Sequence, residues 1–400
     1  MANTFIMSGL GFVFWMIAAR FYSEVEVGLG SAIVSAIMFI ALLSTLGLDA
    51  ALIRRLPTAE KPADLINSCF TLSGAVALVL AAIFIAGLGL WSPALSFVRQ
   101  NAVFSIAFVL FVLLWVLSEM MNFLFAARRR TDFTLLKNTI YSLLKIPLLI
   151  FMATYFHAFG IVASWGIAMG IALAASMFLL LPRVLDNYKP LPKLTPGIIK
   201  ETWRYTAGNY LANLLSVSPA LLLPIMIVNL LGAEQNAHFY VAWMVAGLLF
   251  AIPISVSQSL FVEGSHFEVM LGVNVRRSFR FTFLLLIPAI VVLFVFGKWP
   301  LLAFGAGYST NALQLLRILS ISSLFTGINS IYYGALRVEG RIRELVVIVG
   351  FITIVVLSAS YFILPATGII GVGYVWISAQ GMVSIYVLLA IRSYYVAERA

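Results

Sequence analysis

The sequence predicts an all-α polytopic membrane protein with about twelve transmembrane helices in two six-helix lobes. Of the 400 residues, 62% are hydrophobic and only 10% are charged, and the mean hydropathy is +1.06. Ordinary soluble domains are about one-quarter charged. Because a membrane-spanning helix needs about 20 apolar residues, the chain has room for a dozen such helices and little else.

Twelve apolar runs form the predicted spans. They cover residues 4–19, 27–52, 65–91, 103–126, 133–156, 160–182, 206–231, 237–262, 279–298, 311–335, 345–364 and 367–391. The first run is short and has no positively charged segment before it. We therefore interpret it as a retained helix and not as a cleaved signal peptide.

The lysines and arginines are distributed unequally between the connections. Most of the 25 lie in every second connection, at 53–64, 127–137, 183–204, 263–280, 336–344 and the C-terminal tail, whereas the alternate connections hold only Arg20, Arg99 and Lys298. Cytoplasmic loops carry such an excess, which predicts a multi-pass protein of the inner or plasma membrane with both termini cytoplasmic. The net charge of +10 favours contact with an anionic leaflet. Nucleic acid is a poor partner, because the basic residues are scattered over short loops.

The longest connection, residues 183–204, contains three prolines and several lysines, which predicts a semi-rigid basic linker. It separates an N-terminal lobe, residues 1–182, from a C-terminal lobe, residues 205–400. A shift along the chain lays the spans of one lobe over those of the other and places Asp49 on Gln258. Because both lobes contain six spans, they are predicted to be parallel repeats related by a pseudo-two-fold axis along the membrane normal.

Polar residues within the spans form stripes on single helix faces. They are Thr206, Asn209, Asn213 and Ser216 in the seventh span, Ser118, Glu119 and Asn122 in the fourth, and Ser322, Thr326, Asn329 and Tyr333 in the tenth. Such stripes either form hydrogen bonds between helices, as membrane bundles often do, or line a wet central cavity. Both interpretations remain open from the sequence.

Four ionisable residues lie within spans, namely Asp49, Glu119, Lys145 and Arg317. A buried charge in a membrane usually faces a partner or a cavity. Lys145 can pair with Glu119 of the neighbouring span, or it can meet an anionic substrate. Arg317 is close enough to the outer surface to snorkel. Asp49 can pair locally with Arg54 or line the interface between lobes.

Residue patterns for catalysis are missing. The single cysteine, Cys69, cannot form an internal disulfide or a cysteine-cluster metal site, and the three histidines are far apart. Gly305–Thr310 resembles a glycine-rich loop but lacks the lysine of a phosphate-binding loop. We therefore expect no enzymatic activity, no catalytic residue, no metal and no cofactor. Whether a Na⁺ or H⁺ gradient drives the protein stays open.

Two stretches of the sequence resemble the oligosaccharide (O-antigen and polysaccharide) flippases. One is Gly11–Trp15 continued by Ala18–Ser23 and Val27-Gly28, and the other is Leu46–Arg54 ending at Leu56-Pro57. These flippases belong to the multidrug/oligosaccharidyl-lipid/polysaccharide exporter superfamily, which also includes multidrug extruders and the peptidoglycan-precursor flippase. Twelve spans and a basic linker fit that superfamily over the whole chain.

The resemblance implies a V-shaped cavity between lobes that opens to each side in turn. The expected substrate is a polyprenyl-diphosphate-linked oligosaccharide for surface polysaccharide such as lipopolysaccharide, flipped from the cytoplasmic to the outer leaflet, with glycan-assembly enzymes as possible contacts. An ion-coupled multidrug or metabolite antiporter is the alternative. Cavity candidates are Lys145, Glu119, Asn122, Asp49, Gln258, Asn209, Asn213 and Arg317. Cytoplasmic loading candidates are Arg54, Arg128, Arg276 and Arg277.

Overall fold

The computed structural model describes residues 2–185, 188–266 and 271–397, and these residues form helices and connections without a β-strand. Arg399 of the basic tail lies outside the described residues. Packing divides the chain into two compact units, Met1–Leu214 with Ala220–Glu234, and Leu215–Pro219 with Gln235–Ala400. The lobe boundaries predicted from the sequence, 1–182 and 205–400, stay a prediction.

Eight helices precede Gly232. They are α1 (Ala2–Phe21), α2 (Glu24–Ser44), α3 (Leu48–Arg55), α4 (Pro62–Trp91), α5 (Phe97–Gln100), α6 (Ala102–Ala127), α7 (Thr131–Ala175) and α8 (Pro196–Leu230). A π-helical turn, Ser176–Leu180, continues α7.

Six helices follow. They are α9 (Ala233–His266), α10 (Leu271–Phe296), α11 (Lys298–Phe304), α12 (Ala306–Asn311), α13 (Leu313–Val338) and α14 (Ile342–Ala397).

The helices confirm the predicted fold class. In the described residues, ten helical segments are long and apolar enough to cross a membrane, and Ile6–Phe21 is a shorter apolar helix. One of the ten, Ile342–Ala390, contains the non-helical Gly368 (φ 63°) and covers the last two predicted spans. The protein is therefore an all-α, multi-pass membrane protein with about twelve transmembrane helices.

The second predicted span, 27–52, is wrong at its C-terminal end. Helix α2 ends at Ser44, and Leu46 and Gly47 both have positive φ angles, 51° and 73°. A left-handed conformation interrupts a right-handed helix, and glycine adopts it at little cost. Asp49 consequently lies in the first turn of the short helix α3 and not within a continuous span.

Helix α2 is fixed at its start by a capping box. Ser23 Oγ accepts a hydrogen bond from the Glu26 amide at 3.3 Å, and the Glu26 carboxylate accepts one from the Ser23 amide at 2.9 Å. Such reciprocal bonds satisfy two of the amides that a helix start leaves unpaired. One turn later, a Cβ atom at Gly28 would lie 1.7 Å from the carbonyl oxygen of Ala233. Only glycine allows this close approach, which agrees with the packing role expected of glycine in membrane helices.

Candidate functional site

The ammonium group of Lys145 is enclosed by aromatic rings within the first unit. Its Nζ atom lies 4.9 Å from the ring centroids of Phe14 and Tyr141 and 5.3 Å from that of Trp165. The lysine is only 3% exposed. A cation within about 6 Å of a ring face is attracted by the ring quadrupole, so three rings together hold the charge. We call Lys145 and these three residues the lysine box.

The box is rigid because its walls pack on one another. Trp165 stacks on Trp115 at 5.1 Å, with 7° between the ring planes, and Tyr141 meets both tryptophans edge-on. Tyr141 lies one helical turn before Lys145 on α7, whereas Trp165 follows the break in α7 at His157 (φ 45°). Because of this break, the part of α7 after His157 packs against the part before it. Phe14 comes from α1 and belongs to a stretch that resembles the flippases.

The structure does not show the ion pair between Glu119 and Lys145. Among the described residues, Lys145 Nζ contacts only the three rings, and Glu119 Oε1 accepts a 3.4 Å hydrogen bond from Asn122 Nδ2 on its own helix α6. The pairing interpretation is therefore corrected in this region. The membrane depths estimated from the sequence placed the two residues near each other. They could not reveal the rings of α1 and α7 that surround the ammonium.

Glu119 lies instead near a different lysine. Lys137 is 1% exposed, and its ammonium donates to the carbonyl oxygen of Ser118 at 2.8 Å and also to the Ser118 hydroxyl. The Glu119 carboxylate lies near enough to interact with the Lys137 charge. The basic loop predicted for 127–137 thus ends earlier, because α7 begins at Thr131. Lys137, Tyr141 and Lys145 are spaced by four residues and share one face of α7.

Asp49 and Arg317 have local partners. The Asp49 carboxylate lies in the first turn of α3, close to the backbone amides at the start of that helix. Arg317 Nε donates to the carbonyl oxygen of Phe294 at 3.1 Å, and its guanidinium lies 5.4 Å from the Phe294 ring centroid, near the end of α10. The snorkelling of Arg317 to the outer surface stays a prediction. Neither residue contacts the lysine box through any described bond.

The polar stripes have two different environments. Asn209 and Asn213 of α8 are exposed, and so is Gln258 of α9. By contrast, Asn329 on α13 is fully buried and donates to the Gln380 side chain at 2.7 Å. Ser384 donates to the Asn329 side-chain oxygen at 3.0 Å. Asn329 of the tenth-span stripe therefore forms hydrogen bonds between helices, whereas Ser322 and Thr326 bond to carbonyl oxygens of their own helix. The stripe of the seventh span presents its asparagines at the surface of α8.

The loading candidates lie on two helices and in the turn after a third. Arg54 is exposed on α3, and Arg276 and Arg277 are exposed on α10. Arg128 follows α6 and is partly exposed, and its Nε atom is buried without a hydrogen-bond partner among the described residues. Their role in loading stays a prediction.

The basic linker is fixed to helix α4 over the described residues 188–195. Asn67 Nδ2 donates to the Lys189 carbonyl oxygen at 3.2 Å, and the Tyr188 hydroxyl donates to Asn67 Oδ1 at 2.6 Å. Burial raises the pKa of Tyr188 to about 12, so this hydroxyl remains protonated at neutral pH. Lys193 Nζ forms a 2.7 Å ion pair with Asp64.

Two further bonds continue this attachment toward the C-terminal end of the linker. The Lys193 amide donates to Thr71 Oγ1, and the Thr195 amide donates to Ser68 Oγ, each at 3.1 Å. Sequence reasoning identified the proline-rich linker but not its partners. The available signal for these partners was the group of polar side chains on α4, namely Asn67, Ser68 and Thr71.

Replacing Asn67 with alanine is expected to release the linker. The substitution removes both side-chain bonds to Tyr188 and Lys189, each worth about 1 kcal/mol, which together correspond to an opening equilibrium shifted by about tenfold or more. The measurement is the rate of limited trypsin cleavage after Lys193, which we expect to rise by that factor. Thr58→Ala, whose hydroxyl bonds only to a neighbouring carbonyl, is the control. An unchanged cleavage rate in Asn67→Ala would show that the linker is held in another way.

About twelve membrane helices, with a charged side chain enclosed within the first unit, define a polytopic membrane protein. Residues 1–257 match the family model described as "Polysaccharide biosynthesis protein". The match covers more than half of the chain. The protein belongs to this family.

Known proteins share parts of the sequence and the whole fold. A putative O-antigen transporter of Shigella flexneri is 23% identical over 154 residues, which are 38% of this chain and 37% of that relative. The matched segment thus spans well under half of the relative's length. The lipid II flippase MurJ, in an inward closed conformation, has a TM-score of 0.81 at 12% identity, covering 98% of this chain and 86% of that one.

A second solved structure has a related architecture. An inward-facing multidrug resistance MATE family transporter of the MOP superfamily has a TM-score of 0.74 at 16% identity, covering 98% of this chain and 94% of that one. At these identities the likeness shows the fold, which is shared by flippases and multidrug transporters.

Proposed function

We propose that this protein is a flippase that moves a polyprenyl-diphosphate-linked oligosaccharide from the cytoplasmic to the outer leaflet by alternating access, for surface polysaccharide biosynthesis. The observation that carries the proposal is the lysine box. Its ammonium is buried, and no carboxylate among the described residues neutralises it. A cation without an anionic partner attracts an anionic group of the substrate, and a diphosphate supplies one.

The aromatic rings suit a charge that must exchange partners. Each cation–π contact is worth about 0.5–2 kcal/mol, whereas a hydrogen bond between an ammonium and a phosphate oxygen is worth about 1.5–3 kcal/mol. The rings stabilise the ammonium without forming hydrogen bonds to it, so its N–H donors remain for the phosphate oxygens. Lysine is suited to this exchange because its charge lies at the end of a flexible four-carbon stem.

The comparisons support the substrate class at a coarser level. The family is described by polysaccharide biosynthesis, one relative is called a putative O-antigen transporter, and one structure of the same fold is a lipid II flippase. These names favour a cargo connected with polysaccharide biosynthesis. We extend them to this chain together with a plasma-membrane location and cytoplasmic termini, which the distribution of basic residues supports.

A multidrug or metabolite antiporter is the second candidate, because a MATE transporter has the same fold. Cationic cargo needs an acidic site. In the first unit, the described carboxylate of Glu119 already lies beside Lys137, and the fully enclosed charges are lysines. This balance of charge favours anionic cargo.

Deletion of the gene in the source organism tests the proposal. We expect lipid-linked glycan to accumulate on the cytoplasmic face and surface polysaccharide to disappear, with both effects reversed by the wild-type gene. Mass spectrometry of the accumulated lipid identifies the glycan and the polyprenol. A deletion strain that keeps normal surface polysaccharide and accumulates no lipid-linked glycan refutes the function.

A further inference from the structure

A groove lies between the linker, α4 and α6 in the first unit, and the residues of the lysine box do not line it. Its volume is about 250 Å³. Most of its lining is apolar, and the polar side chains are those of Asn67, Thr71 and Tyr188. The apolar lining residues are Phe70, Gly74, Ala75, Leu113, Leu117, Met177, Pro190, Leu191 and Pro192. We call this feature the linker groove.

The polarity of the linker groove changes along its length. Asn67 and Tyr188 form its end near the start of α4, where the ion pair of Asp64 with Lys193 also lies. Gly74 lies seven residues further along α4, about 10 Å deeper at 1.5 Å per residue, and faces Leu113, which a Cβ atom at Gly74 would approach to 3.2 Å. One end of the groove is therefore polar and lies at the predicted cytoplasmic surface, and the other is apolar and lies at the depth of the bilayer.

The linker beside the polar end has the composition of a membrane-surface segment. Basic and apolar residues alternate there, with Lys189 before Leu191 and Lys193 before Leu194. Both leucines are more than half exposed, at 59% and 54%. Lys193 is paired with Asp64, whereas Lys189 forms no ion pair among the described residues. Exposed leucines next to lysines fit the boundary between lipid tails and acidic headgroups.

We propose that the linker groove binds an acidic phospholipid of the cytoplasmic leaflet, with one acyl chain along Gly74 and Leu117 and its headgroup beside Lys189. The groove is smaller than the roughly 300–1,000 Å³ of sites that enclose a whole small molecule, so it accommodates part of one acyl chain and leaves the rest of the lipid in the bilayer. The bound lipid joins the linker to α4 and α6, in addition to the five polar contacts already described. This binding does not depend on what the protein transports.

Native mass spectrometry of the purified protein tests the site with two probes, palmitoyl-oleoyl-phosphatidylglycerol and the zwitterionic palmitoyl-oleoyl-phosphatidylcholine. We expect one phosphatidylglycerol to bind the wild type about fivefold more tightly than phosphatidylcholine, since one lysine interacts with its headgroup. Ala75→Phe fills the exposed wall of the groove and should weaken both lipids about tenfold by excluding the chain. Lys189→Gln should remove the preference for phosphatidylglycerol while phosphatidylcholine still binds.

Val79→Phe is the matched control, because Val79 lies one turn beyond Ala75 on the same exposed face of α4 and outside the groove. It should bind both lipids like the wild type. The proposal fails if Ala75→Phe binds phosphatidylglycerol as tightly as Val79→Phe, or if Lys189→Gln keeps the full preference. Displacement of phosphatidylglycerol by equimolar undecaprenyl diphosphate would assign the groove to a carrier lipid and would also overturn the proposal.

Discussion

Replacing Lys145 with methionine is expected to reduce export of lipid-linked glycan by about tenfold to a hundredfold, the equivalent of losing one charge-assisted hydrogen bond to the diphosphate. Methionine keeps an unbranched side chain of similar length but removes the ammonium. The same variant should be as thermally stable as the wild type, or more stable. A buried charge without a hydrogen-bond acceptor is costly, and the three rings of the lysine box offset that cost only in part.

The measurement combines export in the complemented deletion strain with the thermal midpoint of the purified protein. Lys61→Met is the matched control, because Lys61 is exposed on a basic loop of the same unit, and it should export normally. Lys145→Arg should recover part of the activity by restoring the charge. Full export by Lys145→Met would exclude a role of this ammonium in transport.

Replacing Lys137 with methionine is expected to lower the stability of the protein strongly, whereas replacing Lys145 should not lower it. The substitution removes the ammonium that donates to the Ser118 carbonyl and hydroxyl oxygens, and it leaves Glu119 without the neighbouring cation. A hydrogen bond from a charged group is worth about 1.5–3 kcal/mol, and two such bonds are lost. The thermal midpoint and the amount of protein in the membrane should both fall, and the loss of export should follow the loss of protein.

The double variant Lys137→Met with Glu119→Gln distinguishes this interpretation. If the two charges stabilise each other, the double variant should be more stable than Lys137→Met alone, and the two effects should not add. Strict additivity would show that the carboxylate does not interact with the lysine. Comparison with Lys145→Met then distinguishes a lysine that stabilises the fold from a lysine that binds the substrate.

The class of fold was predictable because it depends on composition and on periodic signals along the chain. Apolar runs and the distribution of basic residues are visible in the sequence without knowing which helices contact one another. The error lies where the backbone changes direction within a predicted span, because the positive φ angles of Leu46 and Gly47 end α2 early. At His157, by contrast, the backbone break falls between the two predicted spans 133–156 and 160–182 and separates them.

The candidate site was predictable only at its central residue. A lysine in an apolar run is conspicuous, so Lys145 was identified, but its neighbours come from α1 and from both parts of α7. No spacing rule relates Phe14 to Trp165. Lys137 was missed as a buried cation because it lies next to a run of arginines, and its burial depends on where α7 begins.

The linker groove shows the same limit. Prolines and lysines indicated a semi-rigid basic segment, and the structure supplies Asn67, Ser68 and Thr71 as the side chains that hold it. Those residues are ordinary polar positions in the sequence of α4. Their importance follows from the return of the chain to α4 more than 100 residues later.

Flipping by the purified protein in proteoliposomes is the decisive measurement. Vesicles containing the host's own polyprenyl-diphosphate-linked oligosaccharide are treated from outside with a glycosidase that cannot cross the membrane. With wild-type protein, glycan from both leaflets should become accessible over time, whereas with Lys145→Met only the outer leaflet should be cleaved, as in vesicles without protein. Equal cleavage with Lys145→Met and the wild type, or no gain with the wild type over empty vesicles, would contradict the role proposed for the lysine box.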